Sequence, residues 1–472
     1  MPITVYRSGG LYFVRFSLRA KPRRVAFVIG NFTAFMKSIE LEFCGDDYCA
    51  YVALPPGRYL YRYLVDGEVV LDDGPVENGY NVLLLRGSLR RARLGITRRR
   101  LFRAVYGIFV DRFECKRVGG PRDRLGGDLE SIRRRLGYIR SMGFDAIYLT
   151  PIFKAMSYHR YDVLDYLNVD DDLGGNRAFK KLIRDAHAIE VRVILDMPIH
   201  HTGSEHPAFK RALDSDPEYS RWFYIYGDDY EKFMNVRRMP KLNVKFAGEW
   251  VKGIMLHWSL MGVDAFRIDV GAGIPPWYLW DVRQFVNKPF IAEVWGDPFL
   301  WRNAVDGVMN YQVWEPLIKF LSGNLSAEDF AQILKRQLAL LPRPFLLNSW
   351  LFIDTHDTPR AITVLGDAEK VKAALAFIYT WVGTPMLYYG DEVYLEGGPD
   401  PDNRRCMDWE RRDGLHEILK ALIRLEIRPK YLIAHGNEVI YYDENYEVRI
   451  SNESKNYRDG ILVGEYFAIR SR

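Results

Sequence analysis

Two carboxylates stand at the ends of neighbouring apolar runs. Gly262-Val-Asp-Ala-Phe-Arg267-Ile-Asp269 is followed, after a helix-length interval, by Phe290-Ile-Ala-Glu293-Val-Trp295. Short apolar strands joined through a helix predict a parallel βαβ unit, so both acids leave the sheet at the same end. A third run, Leu351-Phe352-Ile353-Asp354-Thr355-His356-Asp357, closes in the same way. In a (β/α)8 barrel that end is the catalytic face. Three acids in one mouth suggest glycosidic chemistry, in which a retaining mechanism needs a nucleophile and an acid/base with carboxyl groups about 5 to 5.5 Å apart. Taken singly, each Asp would serve equally well as a helix N-cap or a loop charge. What separates Asp269 from that reading is Arg267, two residues earlier and on the same side by strand alternation. A fixed guanidinium there is expected to keep Asp269 ionised.

The elements that must carry these acids fill most of the chain. With 472 residues there is room for one barrel with insertions and one or two smaller domains. From Ile3 to about Gly87 the pattern is period-two alternation cut by Gly, Pro and Asp turns, which predicts a small β-sandwich. Barrel strands are then expected at Ala104–Phe113, Ala146–Phe153, Val191–His201, up to Asp269, up to Glu293, Gly307–Tyr311, up to Asp357, and Thr384–Glu392. The passage Thr202–Asn243 is too long for an ordinary connection and predicts a small inserted domain. Alternation returns after Leu432. The fold class is therefore α/β: a (β/α)8 TIM barrel with an N-terminal β-sandwich, an insertion after strand three and a short C-terminal β domain. The boundaries fall at 1–90, 91–430 with the insertion at about 202–245, and 431–472.

Composition narrows the functional classes. The formal charge of +5 arises from 66 basic and 61 acidic residues spread along the chain, so no nucleic-acid footprint is expected. The clusters Arg90-Arg91-Ala92-Arg93 and Arg98-Arg99-Arg100 read as a solvated linker. The longest apolar passage, Ala373–Tyr389, is broken by Gly383-Thr-Pro385 and reads as helix then strand, so no membrane span is expected. Residues 1–10 lack a basic region followed by an apolar run, which points to no signal peptide and a cytoplasmic location. Scarce Gln with abundant Arg and Tyr is compatible with a heat-adapted, thermophile source. Cys44 and Cys49 flank a turn and could bridge a hairpin, or stay free in a reducing cytosol. Cys115 follows strand one and Cys406 follows strand eight, neighbours once a barrel closes, so a bridge across the rim is a second expectation.

Several passages, in order, resemble the signature regions of the α-amylase family of glycoside hydrolases (family 13). They are Asp196-Met-Pro-Ile-His200-His201, Gly262 to Asp269, Ala292-Glu293-Val-Trp295 and Asp354-Thr-His356-Asp357-Thr-Pro-Arg360. Met239-Pro-Lys-Leu-Asn243 and Gly397-Gly-Pro-Asp400-Pro-Asp-Asn-Arg404 resemble the maltogenic amylase, neopullulanase and cyclodextrinase subgroup. Leu54-Pro-Pro-Gly-Arg-Tyr-Leu-Tyr-Arg-Tyr-Leu-Val-Asp-Gly is similar to the glucan-binding modules that precede such enzymes; a module that only packs as a spacer is the equal alternative.

The resemblance implies Asp269 as nucleophile, Glu293 as general acid then base, and Asp357 as transition-state stabiliser. It implies contacts to an α-glucan substrate from Arg267, His201, His356, His159, Tyr161, Trp295, Asp400 and Arg404, with Asp196 as structural support. It further implies cleavage of α-1,4 links in maltooligosaccharides, cyclodextrins, pullulan or starch with glycosyl transfer, no cofactor, and a homodimer formed through the N-terminal domain. An α-glucosidase, a branching or debranching enzyme, or a non-catalytic glucan-binding relative are the alternatives on the same barrel. Two departures stand out. The family has Asn where this chain has His200, and a neutral imidazole is a poor ligand for calcium, so no metal is expected there. The subgroup carries Asn-Glu shortly after the nucleophile, whereas Val270-Gly271-Ala272-Gly273 follows here; these small residues are expected to open the acceptor side.

Overall fold

The computed structural model describes residues 3–8, 11–19, 22–23, 25–31, 39–43, 47–54, 57–86, 100–411 and 414–472. The chain forms two compact units, one of residues 1–94, 243–257 and 284–287, the other of 95–242, 258–283 and 288–472. In the first unit, strands Thr4–Ser8, Leu11–Leu18, Tyr48–Leu54 and Glu42–Phe43 form one sheet. Ala26–Gly30, Gly57–Val65 and Tyr80–Leu85 are the long strands of a second. Alternation sends Tyr59, Tyr61 and Tyr63 inward, where they share a core with Val14, Phe16, Leu18 and Val28. Cys44 and Arg90–Arg99 lie outside the described residues, and with them the expected Cys44–Cys49 bridge and most of the basic linker.

The second unit is built on a closed parallel barrel of eight strands. In order these are Val105–Ile108, Ala146–Leu149, Arg192–Met197, Ala265–Ile268, Phe290–Val294, Gly307–Asn310, Trp350–Leu351 and Thr384–Tyr388. Most are buried on both faces, which is why they read as continuous apolar runs and not as alternation. Tyr148, Ile194, Ile291, Met309, Trp350 and Met386 fill the interior beside small Ala146 and Ala265. Outer helices start where their sequences provide caps: Asp128 accepts from the Ser131 N–H ahead of Leu129–Ser141, and Ser326 from Asp329 ahead of Ala327–Leu340. The passage Ala373–Tyr389 resolves into the end of helix Ala368–Thr380 followed by strand eight. Among the described residues no helix is long and apolar enough to cross a membrane.

Two departures from the sequence reading shape the mouth. Strand seven stops at Leu351, well short of Asp357. The polar segment beyond it satisfies its backbone locally: Thr355 N–H donates to Thr358 Oγ1 at 2.9 Å, Asp357 N–H to Thr355 Oγ1 at 3.1 Å, and Ala361 N–H to Asp354 Oδ2 at 2.6 Å. Such side-chain bonds compete with a β-ladder and end the strand. The other departure is a hairpin after strand two, Phe153–Ala155 with Val163–Val169, whose connection carries Tyr158, His159, Arg160 and Tyr161. Its longer strand buries every third residue, so period-two alternation does not announce it. After strand three the chain forms helix Pro207–Leu213 and a small hairpin, Ile225–Tyr226 with Asp229–Tyr230, before Lys241 returns to bridge His201. At the other end of the chain, five antiparallel strands between Tyr431 and Ser471 form one sheet.

The rim is closed covalently. Cys115 and Cys406 form a disulfide with Cα atoms 5.8 Å apart, joining positions 291 residues apart in sequence. In the chain-entropy model a loop of that size stabilises by at most roughly 5 to 6 kcal/mol. Reduction, or Cys115→Ser, is accordingly expected to lower the thermal midpoint by several degrees. Thiol titration in denaturant without reductant checks the bond itself: labelling of Cys406 would show that it is not there.

Candidate active site

Arg267 is fully buried on strand four, and register places it beside Asp196 on strand three. Its Nη1–H groups donate to both oxygens of Asp196 at 3.0 Å and to Asp269 Oδ1 at 2.7 Å. Nη2 sits 3.0 Å from Glu293 Oε2 and 4.0 Å from Asp357 Oδ2, as charge contacts without hydrogen-bond alignment. One guanidinium thus gathers all three expected catalytic acids and their expected support. A buried guanidinium is tolerated only when paired in this way. Asp196 is held from above by Tyr148 Oη–H at 2.5 Å and Tyr161 Oη–H at 2.8 Å.

Each acid has its own surroundings. Glu293 Oε2 accepts the Val270 N–H at 2.7 Å, and Oε1 accepts the indole N–H of Trp295 at 2.8 Å. Asp357 Oδ2 lies 3.0 Å from His356 Nε2, and its Oδ1 accepts from Arg404 Nη2 at 3.1 Å. Burial works against ionisation of Asp357, but His356, Arg404 and Arg267 outweigh it and hold the carboxyl below the usual range. Asp269 goes the other way, contrary to the expectation that Arg267 keeps it ionised. Burial, with the negative charge of Glu293, Asp196 and Asp357, pushes it well above the ordinary carboxylate value despite the guanidinium. Like charges crowded in a dry site cannot all ionise.

The aromatic and imidazole residues fall around this cluster. Tyr161 Oη is 2.6 Å from His356 Nε2, and the two rings lie near parallel. His159 Nδ1 accepts from the Tyr161 N–H at 3.2 Å, and burial lowers its pKa to about 4. His201 is also held neutral by burial, with the His200 ring adding to the effect. Its Nε2 is buried without a hydrogen bond of normal geometry, while its Nδ1 faces His200 Nδ1 at 3.2 Å. Trp295 is 46% exposed and stacks on Tyr311 at 3.7 Å, so it offers a face to the mouth while its edge holds Glu293. Arg404 is fully engaged: by Asp357, by Asp400 at 2.8 Å, by Tyr158 Oη at 3.0 Å and by the His356 carbonyl at 2.8 Å. It ties the loop after strand eight to Asp357, and Asp400 is the exposed member of that set.

Position His200 does not suit calcium. Burial, helped by the nearby Lys241 and opposed by Glu231, lowers its pKa to about 4. An imidazole facing another imidazole and a cation is the opposite of the oxygen cage calcium requires. Nor do the small residues after Asp269 open the acceptor side. A Cβ at Gly271 would fall 2.8 Å from Ala292 Cβ and 3.1 Å from the Glu293 N and O atoms. At Gly273 it would fall 2.7 Å from the His200 ring. The glycines are small because strand five and His200 fill their space, so the two departures from the family pattern are one packing arrangement. Room exists instead in a cavity of about 550 Å³ bordered by His200, Val270 and, from the inserted segment, Tyr226, Tyr230, Phe233 and Lys241.

Sequence reasoning missed Tyr148, Tyr158, Tyr311 and the Val270 amide. Tyr148 was legible in principle, as a polar-tipped residue inside an otherwise apolar strand. The amide of Val270 was not, because its role depends on backbone conformation.

The description "Alpha amylase, catalytic domain" matches residues 107–250 and 290–424, more than half of the chain. The chain belongs to the α-amylase family. The description "Glycogen recognition site of AMP-activated protein kinase" matches residues 14–79 of the N-terminal sheets. Among relatives of this family member, neopullulanase 2 of Thermoactinomyces vulgaris is 35% identical over 328 residues, covering 64% of this chain and 56% of its own. A cyclomaltodextrinase of Geobacillus thermopakistaniensis (strain MAS1) is 33% identical over 353 residues, covering 70% and 60%. The chain therefore spans under two thirds of the length of these relatives. The ligand-free cyclic α-maltosyl-(1→6)-maltose hydrolase of Arthrobacter globiformis shares the fold at a TM-score of 0.72 and 26% identity, over 78% of this chain and 98% of its own.

The opposite electrostatics of the acids give a pair of expected outcomes. Ionised Asp269 is a cost that grows as pH rises above about 4, so Asp269→Asn should raise the thermal midpoint relative to wild type, and more at pH 8 than at pH 4. Asp357 contributes stability present above the ordinary aspartate value and lost as pH falls through its lowered one, so Asp357→Asn should destabilise at pH 7 by about 2 kcal/mol. Calorimetry across that range checks both; equal shifts for the two variants would contradict the assignment. Separately, Gly273→Ala should cost ~1–3 kcal/mol through overpacking, and His200→Ala in the same chain should recover most of it.

Proposed function

We propose that this chain is a retaining α-glucan hydrolase that cleaves α-1,4 links in maltooligosaccharides, cyclodextrins, pullulan or starch, with some glycosyl transfer. The observation that carries the reading is the gathering of Asp269, Glu293 and Asp357 around the single guanidinium of Arg267. The names of the relatives, neopullulanase and cyclomaltodextrinase, support the substrate class.

In this reading Asp269 attacks the anomeric carbon as a carboxylate and forms the covalent intermediate, while Glu293 protonates the departing oxygen and then activates water. Asp357, held charged, stabilises the positive charge that develops on the ring. His201, neutral in its buried setting, hydrogen-bonds a sugar hydroxyl, and His356, Tyr161, His159, Trp295, Asp400 and Arg404 frame the sugar units on either side. Because Asp269 favours its proton, the acid limb of kcat/KM should lie above the ordinary aspartate value. Residues 1–90 act as an accessory module, 91–430 carry the chemistry with the insertion at about 202–245, and 431–472 close it; two copies pair through the module in the cytoplasm.

A product profile on pullulan, cyclodextrin and starch tests the reading. Panose from pullulan is expected; maltotriose in its place would indicate α-1,6 cleavage. Glu293→Gln should reduce kcat by at least ~10³-fold, and near-normal turnover would remove Glu293 from its role.

A further inference from the structure

The two oxygens of Glu293 stand in unlike surroundings. Oε2 accepts the Val270 N–H at 2.7 Å and lies 3.0 Å from Arg267 Nη2. Oε1 accepts the indole N–H of Trp295 at 2.8 Å, on a residue that is half exposed. A protonated carboxyl has one hydroxyl oxygen and one carbonyl oxygen. Placed on Oε2, the hydrogen would face an amide N–H and a cation, all donors or positive. On Oε1 it leaves a lone pair for the indole and is free to turn toward the mouth.

The donor on Oε2 is held by an unusual piece of backbone. Val270 has φ 47° and ψ 40°, the left-handed region that a β-branched residue rarely enters. Gly271 makes that turn lie flush on strand five, since any side chain there would strike Ala292 and the Glu293 backbone. The turn immediately follows Asp269, so nucleophile and amide are placed by the same few residues.

We propose that the left-handed turn at Val270 is a positioning device that fixes Glu293 Oε2 as the carbonyl oxygen, leaving Oε1, oriented by Trp295, as the oxygen that carries the proton. The inference rests on Glu293 being the acid/base. In the first step the Oε1–H bond breaks and its proton passes to the glycosidic oxygen, which keeps the electron pair of the breaking C1–O bond while an Asp269 oxygen bonds to C1. In the second step Oε1 takes a proton from water as the water oxygen attacks C1 and releases Asp269.

Leaving-group dependence tests this, because a substrate with a good leaving group needs little protonation. Trp295→Phe, which keeps the ring and removes the donor, should lower kcat on the preferred maltooligosaccharide on the order of 10- to 100-fold and on α-maltosyl fluoride by less than about 3-fold. Replacing valine 270 by its α-hydroxy analogue, which exchanges the amide N–H for an ester oxygen, should give the same split with KM little changed. Equal losses on both substrates, or a Trp295→Phe kcat within about 2-fold of wild type, would overturn the proposal. If the ester variant does not fold, Trp295→Phe decides alone. Failure of the underlying reading looks different: wild type hydrolyses neither substrate, or Glu293→Gln keeps full turnover.

Discussion

The guanidinium of Arg267 is the constraint around which the barrel mouth is arranged. It has no access to solvent, so its charge must be met by neighbours, and it is met by Asp196, Asp269, Glu293 and, at longer range, Asp357. A cation buried this deeply is met only by partners that stay ionised, so each such partner counts for more than one half of a surface pair. The same cation also decides the chemistry available. Four acids against one guanidinium, with Arg404 beyond, carry excess negative charge, and the cluster relieves it by holding protons unequally.

That inequality comes from packing as much as from charge. Asp357 reaches the mouth and is flanked by His356 and Arg404, so it stays ionised; Asp269 sits deeper among its own kind. The disulfide between Cys115 and Cys406 and the engagement of every Arg404 nitrogen hold the rim loops that set these distances. Rim, loop and acid form one mechanical unit. The His200 imidazole belongs to the same close packing, since it occupies the volume that a side chain at Gly273 would need.

Much of this was legible beforehand, for identifiable reasons. Eight parallel strands buried on both faces are written as apolar runs at helix-length spacing, so barrel order and the strands bearing Asp269 and Glu293 could be read directly. Arg267 and Asp269 could be placed together because strand alternation is rigid. The hairpin bearing Tyr158 to Tyr161 could not, because its burial repeats every third residue, and strand seven was read too long because Thr355 and Thr358 bond the backbone that a ladder would otherwise use.

The sequence by itself determined the fold class, the identity of the acids and the arginine that binds them, since these follow from local period and short spacing. Only the tertiary structure decided the protonation preference of Asp269, the closed space beside Gly271 and Gly273, and the left-handed turn that aims the Val270 amide at Glu293. Each of those depends on atoms from strands distant in sequence meeting within 3 Å or so, where desolvation and steric exclusion act, and no local pattern of residues encodes that meeting.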